Sequence, residues 1–577
     1  MNKKRENKEY YTADFETLVL TDEEIKQGKR TYVWAWALCS VSDPSKVKYG
    51  TDIASFFETI GKLKSGSIVY FHNLKFDGNF IMSYLLENEF TQVYTNKKMP
   101  EKSFTSLVSS IGVWYSIDIK YKKKHIIIND SYKKLPFSVA KLAKDLGYEE
   151  LKGEIDYTEY REEGGILSDE DKDYIRRDVQ IVAKALKDVS FGYNMYRATI
   201  ASDCLNYYKS IQPMFDVFFP VLKKEIHSYC ANAYGGGWCW YREETAGKML
   251  KGGIGYTLDW NSMHPSQMHS SSGNYFPYKV PVFYKGEYKP NKAYPLYIQR
   301  FKASFKLKPG HVPTIQIKGS ALFKEREFLK ETEEPVELTL TSVDLDLFFE
   351  QYDVYTYEPL DGYMFKACIG AFDRYIDYWY KYKEECTKKG DKVGRMVAKL
   401  ALNSFYGKFG TDLNASKQNF KLNDDGVLTH TVDSSEKEGV YLPVAAFVTA
   451  YSRRTIIHAV QANYEHWYYS DTDSMKLYFK EGEEVVFNGV NLHPTKLGYC
   501  DVEDEWDQAV FLRQKTYACR IKGEWKYKAA GMNDEVKRNI TDISQFHINA
   551  VIDGKKMTKH VKGGVVIRST TFKILDI

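Results

Sequence analysis

The side chains able to do chemistry are mainly acids, and they fall into two groups. In the first, Asp14 and Glu16 stand two apart in a strand-like run that begins at Tyr10. Side chains alternate along a strand, so both carboxylates point the same way. A solvated strand face would look the same. Asp77 follows the apolar run Ile68–Phe71, inside His72-Asn73-Leu74-Lys75-Phe76-Asp77-Gly78, and strand ends commonly carry functional groups. Tyr174 and Asp178 are four apart on a predicted helix and share one of its faces. Gathering Asp14, Glu16, Asp77 and Asp178 in one pocket would be repulsive unless cations sat between them. Two Mg²⁺ ions about 4 Å apart would relieve the repulsion and form a phosphodiester-cleaving centre. Tyr174 would then orient the attacking water.

The second group begins at Asp259, which ends the strand-like run Gly255–Trp260. Far downstream, Tyr469-Ser470-Asp471-Thr472-Asp473-Ser474 reads as a hairpin tip, with Asp471 and Asp473 again two apart. Such a tip also fits a solvated turn. Between them, Lys392, Arg395, Lys399, Asn403 and Tyr406 are spaced 3, 4, 4 and 3 apart. At 3.6 residues per turn they fall within an arc of about 80° on one helix. Val393, Met396, Val397 and Leu400 occupy the neighbouring arc and would anchor it. A plain basic face is one reading. Asn and Tyr in line with the cations suit a nucleotide better, with cations on the triphosphate and Tyr against base or sugar. Asp259 and Asp473 could then hold two Mg²⁺ ions while a primer 3′-hydroxyl attacks the α-phosphate, the helix cations stabilising the leaving pyrophosphate.

The elements that must position these groups are legible in outline. Residues 1–198 alternate strand candidates (Tyr10–Phe15, Ile68–Phe71, His125–Asn129) with helices, and Ser168 reads as an N-cap followed by an acidic turn. That pattern predicts an α/β domain. Tyr234-Gly235-Gly236-Gly237 marks a joint or a close backbone approach to a ligand. A long helix is expected near 392–408 and a strand–turn–strand near 464–479, with about 271–370 and the polar stretch 411–439 as insertions. The chain has 577 residues, 43% of them hydrophobic, enough for several cores. Its net charge of +4 permits a nucleic-acid groove without demanding one. The 46 tyrosines suit base stacking or ordinary cores equally. The eight cysteines include no CxxC pair, which argues against a zinc ribbon or iron–sulfur site and fits a reducing compartment. The basic start runs into no apolar stretch, and no run approaches the ~20 residues of a membrane span. A soluble, cytoplasmic protein without membrane partners is expected.

Taken in order, the motifs resemble the family B (α-like) DNA polymerases. Asp14-Phe15-Glu16-Thr17, His72–Gly78 and Tyr174-Ile175-Arg176-Arg177-Asp178 are similar to the three motifs of the DEDDy proofreading exonuclease. Asp259–Pro265, Lys399-x-x-x-Asn403-Ser404-x-Tyr406-Gly407 and Tyr469–Ser474 are similar to polymerase motifs A, B and C. Lys515-Thr516-Tyr517 matches the KxY primer motif, Thr449-x-x-Ser452-Arg453 a primer–template motif, and Tyr234–Gly237 the YxGG template motif. The length, the two insertions, His311–Lys318 and Gly563–Val566 resemble the protein-primed subgroup of small tailed bacteriophages, the phage phi-twenty-nine type.

The resemblance implies a multidomain α/β and α+β fold. A ribonuclease H-like exonuclease (1–198) would precede a right-hand polymerase: palm (199–270 and 441–531), fingers (371–410) and thumb (532–577). Insertion one (271–370) would meet a priming terminal protein. Insertion two (411–440) would close a ring around template, giving processivity and strand displacement. Catalytic roles fall to Asp14, Glu16, Asp77, Tyr174, Asp178, Asp259, Asp471 and Asp473, with all but Tyr174 and Asp471 as Mg²⁺ ligands and Mn²⁺ as a substitute. His264, Lys383, Arg395, Lys399, Asn403 and Tyr406 would bind the dNTP. Thr17, Asn73, Phe76, Phe80, Ser131, Tyr132 and Lys152 would hold the frayed 3′ end. Tyr234, Gly236, Gly237, Thr449, Arg453, Lys515 and Tyr517 would contact primer–template DNA. The implied state is a monomer, or a heterodimer with terminal protein, in the cytoplasm of a bacterial host.

Four positions depart from the family pattern: His264 stands where Tyr is usual, Gly235 for Arg, Ser452 for Gly or Ala, and Tyr132 for Leu. His264 implies weaker exclusion of ribonucleotides or a burden shifted to neighbours such as Tyr406; a harmless variation is the alternative. Three functions compete: a dual polymerase–exonuclease, a nuclease with an impaired polymerase site, and a non-catalytic DNA-binding scaffold. A scaffold gains nothing from acids facing phosphates.

Overall fold

The apolar run Ile68–Phe71 is short, fully buried and rich in β-formers, and it lies inside an eight-stranded mixed sheet. The computed structural model describes residues 8–94, 98–149, 160–316, 328–411, 414–436 and 439–576. The sheet's spatial order is Val47–Gly50, Val33–Ser40, Tyr10–Thr17, Ile68–Phe71, Lys124–Asp130, Trp114–Tyr121, Ser103–Val108 and Thr91–Gln92. Tyr10–Thr17 runs parallel to Ile68–Phe71 and antiparallel to Val33–Ser40. The expected helix begins at Ser168, whose hydroxyl accepts from the Asp171 amide in a full capping box, and runs over Asp169–Ala185.

That helix packs on one face of the sheet, and the core it closes does not end at residue 198. Tyr10, Trp34, Tyr70 and Tyr174 share a continuous apolar cluster with the helix Ile200–Ile211, the helices around 372–409 and the buried helix Leu442–Ala462. The opposite face is a separate core that admits Phe420, Leu428 and Val565 from later hairpins. The buried ion pair between Lys134, 0% exposed, and Asp203 (2.7 Å) bolts the two halves together.

A five-stranded antiparallel sheet forms the centre of the second half. Its order is Cys500–Trp506, Gly253–Trp260, Ser474–Lys480, Trp467–Asp471 and Cys239–Tyr241. Beside it lies a four-stranded sheet carrying Gln508–Arg513 and Thr516–Ile521. The stretch 271–370 builds a further four-stranded sheet on the 17-residue strand Tyr352–Cys368. Residues 371–410 are two helices, Asp373–Lys389 and Lys392–Phe405. They turn at Gly390 (φ +69°), and Asp391 caps the second. The hairpin Asn414–Leu422/Leu428–Glu436 bridges Ser109 of the first block on one side. On the other, Val427 bridges Lys562 of the hairpin Val551–Val561/Gly564–Lys573. Lys562 accepts in turn from the Thr31 amide, so the contacts close into a circuit. No helix among the described residues is long and apolar enough to cross a membrane.

Candidate active sites

Two acid sites lie on two different sheets. In the first, the Thr12 hydroxyl donates to the Val179 carbonyl (2.7 Å) and clamps the helix Asp169–Ala185 over the strand Tyr10–Thr17. Asp14 and Asp178 therefore line one cavity of about 100 Å³, with His72 at its edge. Asp77 opens the helix Asp77–Glu87 and is buried. Burial and the charge of Asp14, with a further push from Asp130, raise its carboxyl far above the usual range. Its Oδ1 is buried without a hydrogen-bond partner, an arrangement that a cation would satisfy. Glu16 is buried on the same strand, and Tyr174 is buried one turn from Asp178.

Around this site, Asn73 and Tyr132 are exposed, and Thr17 and Phe76 half-buried. Two of the expected contact residues are buried. Phe80, 1% exposed, packs into the core, where a Cβ on Gly564 would lie 2.5 Å from its ring. Ser131 is fully buried, its hydroxyl engaged by the Phe71 carbonyl and His72 Nδ1. Both support the site from behind. Lys152 lies outside the described residues.

In the second site, Asp259 is the penultimate residue of its strand, with Ser474 paired on one side and Asp501 on the other. The Trp260 amide donates to the Asp473 carbonyl (2.8 Å), which seats the two aspartates together. Burial lifts the Asp259 carboxyl to about 7, aided by Asp473, Glu503 and Asp501 and opposed by Lys399. Asp473 is raised as well, chiefly by burial, then by Asp471 and Glu503. Asp501 and Glu503 escaped the sequence reading. Their two-residue spacing on one strand was the available signal, and pairing with Asp259 depends on register across a bulge at Thr257/Leu258.

Asp471 and Asp473 do not share a strand face as their spacing suggested. Thr472 lies between them at φ +60°, and the Asp473 amide donates to the Asp471 carbonyl (2.7 Å) in a tight turn. Asp473 thus turns to Asp259, while Asp471 pairs with the ammonium of Lys515. Tyr517 packs against Tyr469 beside it.

The cation row stands as expected. Lys392, Arg395, Lys399 and Asn403 are exposed and Tyr406 half-buried, while Val397, Leu400, Ala401 and Phe405 face inward. Lys383 joins from the preceding helix, its ammonium pushed down by burial and by Arg395 and Lys399. His264 packs on Tyr406 with ring centres 4.1 Å apart.

Thr449 and Arg453 are also buried. The Thr449 hydroxyl bonds back to its own helix. Arg453, 7% exposed, grips the Asp344 carboxylate with Nε and Nη2 (2.9 and 2.8 Å) and the Gly236 carbonyl with Nη1 (2.7 Å). Gly235 lies against that guanidinium, where a Cβ would sit 2.6 Å from Nη1. Gly237 presses on Thr472, and Tyr234 reaches Gly410. The glycine segment is therefore a strut to the Asp471–Asp473 turn.

Among the described residues no three carboxylate, imidazole or thiolate groups converge tightly enough to chelate a cation by themselves. The donor sets are all oxygen, and each holds acids whose mutual repulsion a cation would relieve. Mg²⁺ is bound through only one or two carboxylates plus water and phosphate oxygens, so these sets fit it.

A profile for DNA polymerase type B, organellar and viral, matches residues 63–172 and 149–481. The chain belongs to that family. The DNA polymerase of Bacillus phage Nf is 37% identical over 597 residues, covering 98% of this chain and 100% of that one. That of Bacillus phage phi29 is 36% identical over 591 residues, covering 98% of each. The solved complex of phi29 DNA polymerase with primer-template DNA and incoming nucleotide substrates matches at a TM-score of 0.88 and 35% identity, over 98% of this chain and 100% of that one. Within the family, the chain is of the phi29-type phage group.

Proposed function

We propose that this chain is a DNA-directed DNA polymerase with its own 3′–5′ proofreading exonuclease, copying a linear phage genome from a terminal-protein primer with strand displacement. One observation carries the reading: Asp259 and Asp473 are seated side by side facing Lys399, while Asp14, Asp77 and Asp178 form a second acid site on another sheet. Synthesis and trimming need two such centres.

In the polymerase site, Lys383, Arg395 and Lys399 take the triphosphate of a dNTP, and Asn403, Tyr406 and His264 meet its base and sugar. Asp259 and Asp473 hold Mg²⁺ or Mn²⁺, with Asp501 and Glu503 adding negative potential. The Asp471–Lys515 pair steadies the turn, leaving Lys515 and Tyr517 beside the primer end. In the exonuclease site, Asp14, Glu16, Asp77 and Asp178 hold the ions, and Tyr174 orients the water. Bound ions at either site supply an activated oxygen nucleophile and charge stabilisation at the phosphate.

Residues 1–198 are read as exonuclease, 199–270 and 441–531 as palm, 371–410 as fingers and 532–577 as thumb. The sheet of 271–370 offers the terminal-protein surface, and the circuit made by the hairpin in 411–440 would encircle template. The place of action is the cytoplasm of the bacterial host. The match to a polymerase solved with primer-template DNA and nucleotides supports the substrates.

The test is a primer-extension assay with Mg²⁺, with and without dNTPs. Asp473→Ala is expected to abolish extension and keep degradation, and Asp14→Ala to do the reverse. Loss of both activities from either change, in a folded protein, would contradict two separate centres. Labelled nucleotide transferred covalently to a terminal protein tests the priming.

A further inference from the structure

Two of the departures from the family pattern, His264 and Ser452, touch each other. His264 Nδ1 lies 2.8 Å from Ser452 Oγ, although the residues are 188 apart in sequence. Ser452 sits on the buried helix Leu442–Ala462, and its hydroxyl donates to the Val448 carbonyl one turn back, at 3.0 Å. A serine hydroxyl has one proton. With that proton on Val448, Oγ can only accept from the imidazole, so Nδ1 must carry a hydrogen. The opposite assignment would leave Oγ and the Val448 carbonyl as two acceptors facing each other with no proton between them.

The remaining ring nitrogen follows from this. Burial, with Arg453 nearby, pushes the His264 imidazole down to about 4, so at neutral pH it carries a single proton. That proton is on Nδ1, and Nε2 is a bare acceptor. Among the described residues no group donates to Nε2, and it is not sealed from solvent. The ring packs at 4.1 Å on Tyr406, the last member of the row that carries Lys399 and Asn403.

We propose that Ser452 locks His264 in its Nδ1–H tautomer, and that the unpartnered Nε2 acts as a hydrogen-bond acceptor for a sugar hydroxyl, admitting ribonucleoside triphosphates beside dNTPs. The proposal rests on the polymerase reading above. A 2′-hydroxyl brought into a half-buried pocket loses water, and it is tolerated only if an acceptor replaces that water. An apolar ring provides none. His264 is then a specificity-determining residue and Ser452 a positioning residue acting through it.

The full-length enzyme with Mg²⁺ tests this by the ratio of ribo- to deoxynucleotide incorporation, each as kcat/KM. His264→Phe keeps a flat ring and removes the acceptor, and the ratio is expected to fall about tenfold, near the upper range for one neutral hydrogen bond. Ser452→Ala frees the tautomer and should lower the ratio about threefold, as Nε2 becomes protonated in part of the population. In the His264→Phe background the serine change should add nothing. An unchanged ratio in His264→Phe overturns the sugar contact, and a Ser452→Ala effect that persists without the imidazole overturns the lock. Nitrogen-15 NMR of histidine-labelled protein reads the tautomer without any nucleotide. Nδ1–H in wild type and a mixture in Ser452→Ala are expected; an Nε2–H ring in wild type refutes the lock. Failure of wild type to extend with dNTPs would overturn the polymerase reading and the sugar half of this proposal together, while the spectrum still judges the lock.

Discussion

Gly237→Ala is the sharpest probe of the link between the glycine strut and the polymerase acids. A Cβ at Gly237 would meet Thr472 Oγ1 at 2.5 Å, Cγ2 at 2.7 Å and Cβ at 3.0 Å. Thr472 cannot swing aside. It is β-branched, already at φ +60°, and its Oγ1 donates to Asp471 Oδ1 (3.0 Å). The added methyl must therefore move the turn that carries Asp473. Inserting one methyl into a tight contact costs about 1–3 kcal/mol. If that strain appears as misplacement of Asp473 in the transition state, extension slows roughly 5- to 150-fold at 1.36 kcal/mol per decade. Single-nucleotide incorporation on a primed template measures this, and 3′-end degradation by the same preparation is the internal control, expected to stay at wild-type level. Adding Thr472→Gly removes all three opposing atoms and suits the positive φ. The double variant should regain most of the lost rate, short of whatever the Oγ1–Asp471 hydrogen bond supplies. Wild-type extension by Gly237→Ala would refute the reasoning. So would failure of Thr472→Gly to rescue it, since the methyl would then be obstructing DNA rather than the turn.

Three further outcomes follow from the same geometry. Without metal, the Asp259 carboxyl has moved from 3.8 to about 7, so between those values the folded state holds a proton that the unfolded chain has released. Stability of the metal-free protein must then fall as pH rises through that window, and Mg²⁺ should restore it near pH 8; melts of wild type and Asp259→Asn that run parallel in EDTA would contradict this. Arg453→Met strands the buried Asp344 carboxylate and should cost about 3–5 kcal/mol in chemical denaturation, with extension falling as the glycine strut loosens; an unchanged denaturation midpoint would show that the pair carries little. Lys134→Met leaves Asp203 uncompensated at the junction of the two halves, with a loss of similar size that Asp203→Asn in the same chain partly recovers.

What could be read in advance was local. The capping box at Ser168, the strand Ile68–Phe71, the helix from Lys392 and the hairpin near Asp471 depend on neighbours within a few residues; the first two stand where expected, while the helix ends at Phe405 rather than 408 and the hairpin's first strand begins at Trp467 rather than 464. The facing of Asp259 and Asp473 was inferred from motif order, and adjacent strands realise it. What stayed hidden depends on pairing between distant segments. Asp501 and Glu503 meet Asp259 only through the register of a neighbouring strand. Asp344, the partner of Arg453, comes from the inserted stretch 109 residues away, so nothing near Arg453 announces that its charge is spent inside the protein. Phe80 and Ser131 carry the right chemistry for a nucleic-acid contact, yet the helix that bears Phe80 and the 3-10 turn that opens at Ser131 hold those side chains inward.

The buried contacts also bear on how the two proposed reactions would be coupled. A chain with two independent domains would close its cores separately and join them by a linker. Here one face of the eight-stranded sheet shares its core with the helices at 200–211 and 372–409, and its other face admits Phe420, Leu428 and Val565 from the late hairpins. The first block is thus gripped on both faces by the second. Rigid-body separation would expose both cores and the Lys134–Asp203 pair, so large relative rotation of the halves is disfavoured. On the function proposed above, a primer end passing from Asp259 and Asp473 to Asp14 and Asp178 would therefore travel through a fixed frame by unpairing and sliding of DNA.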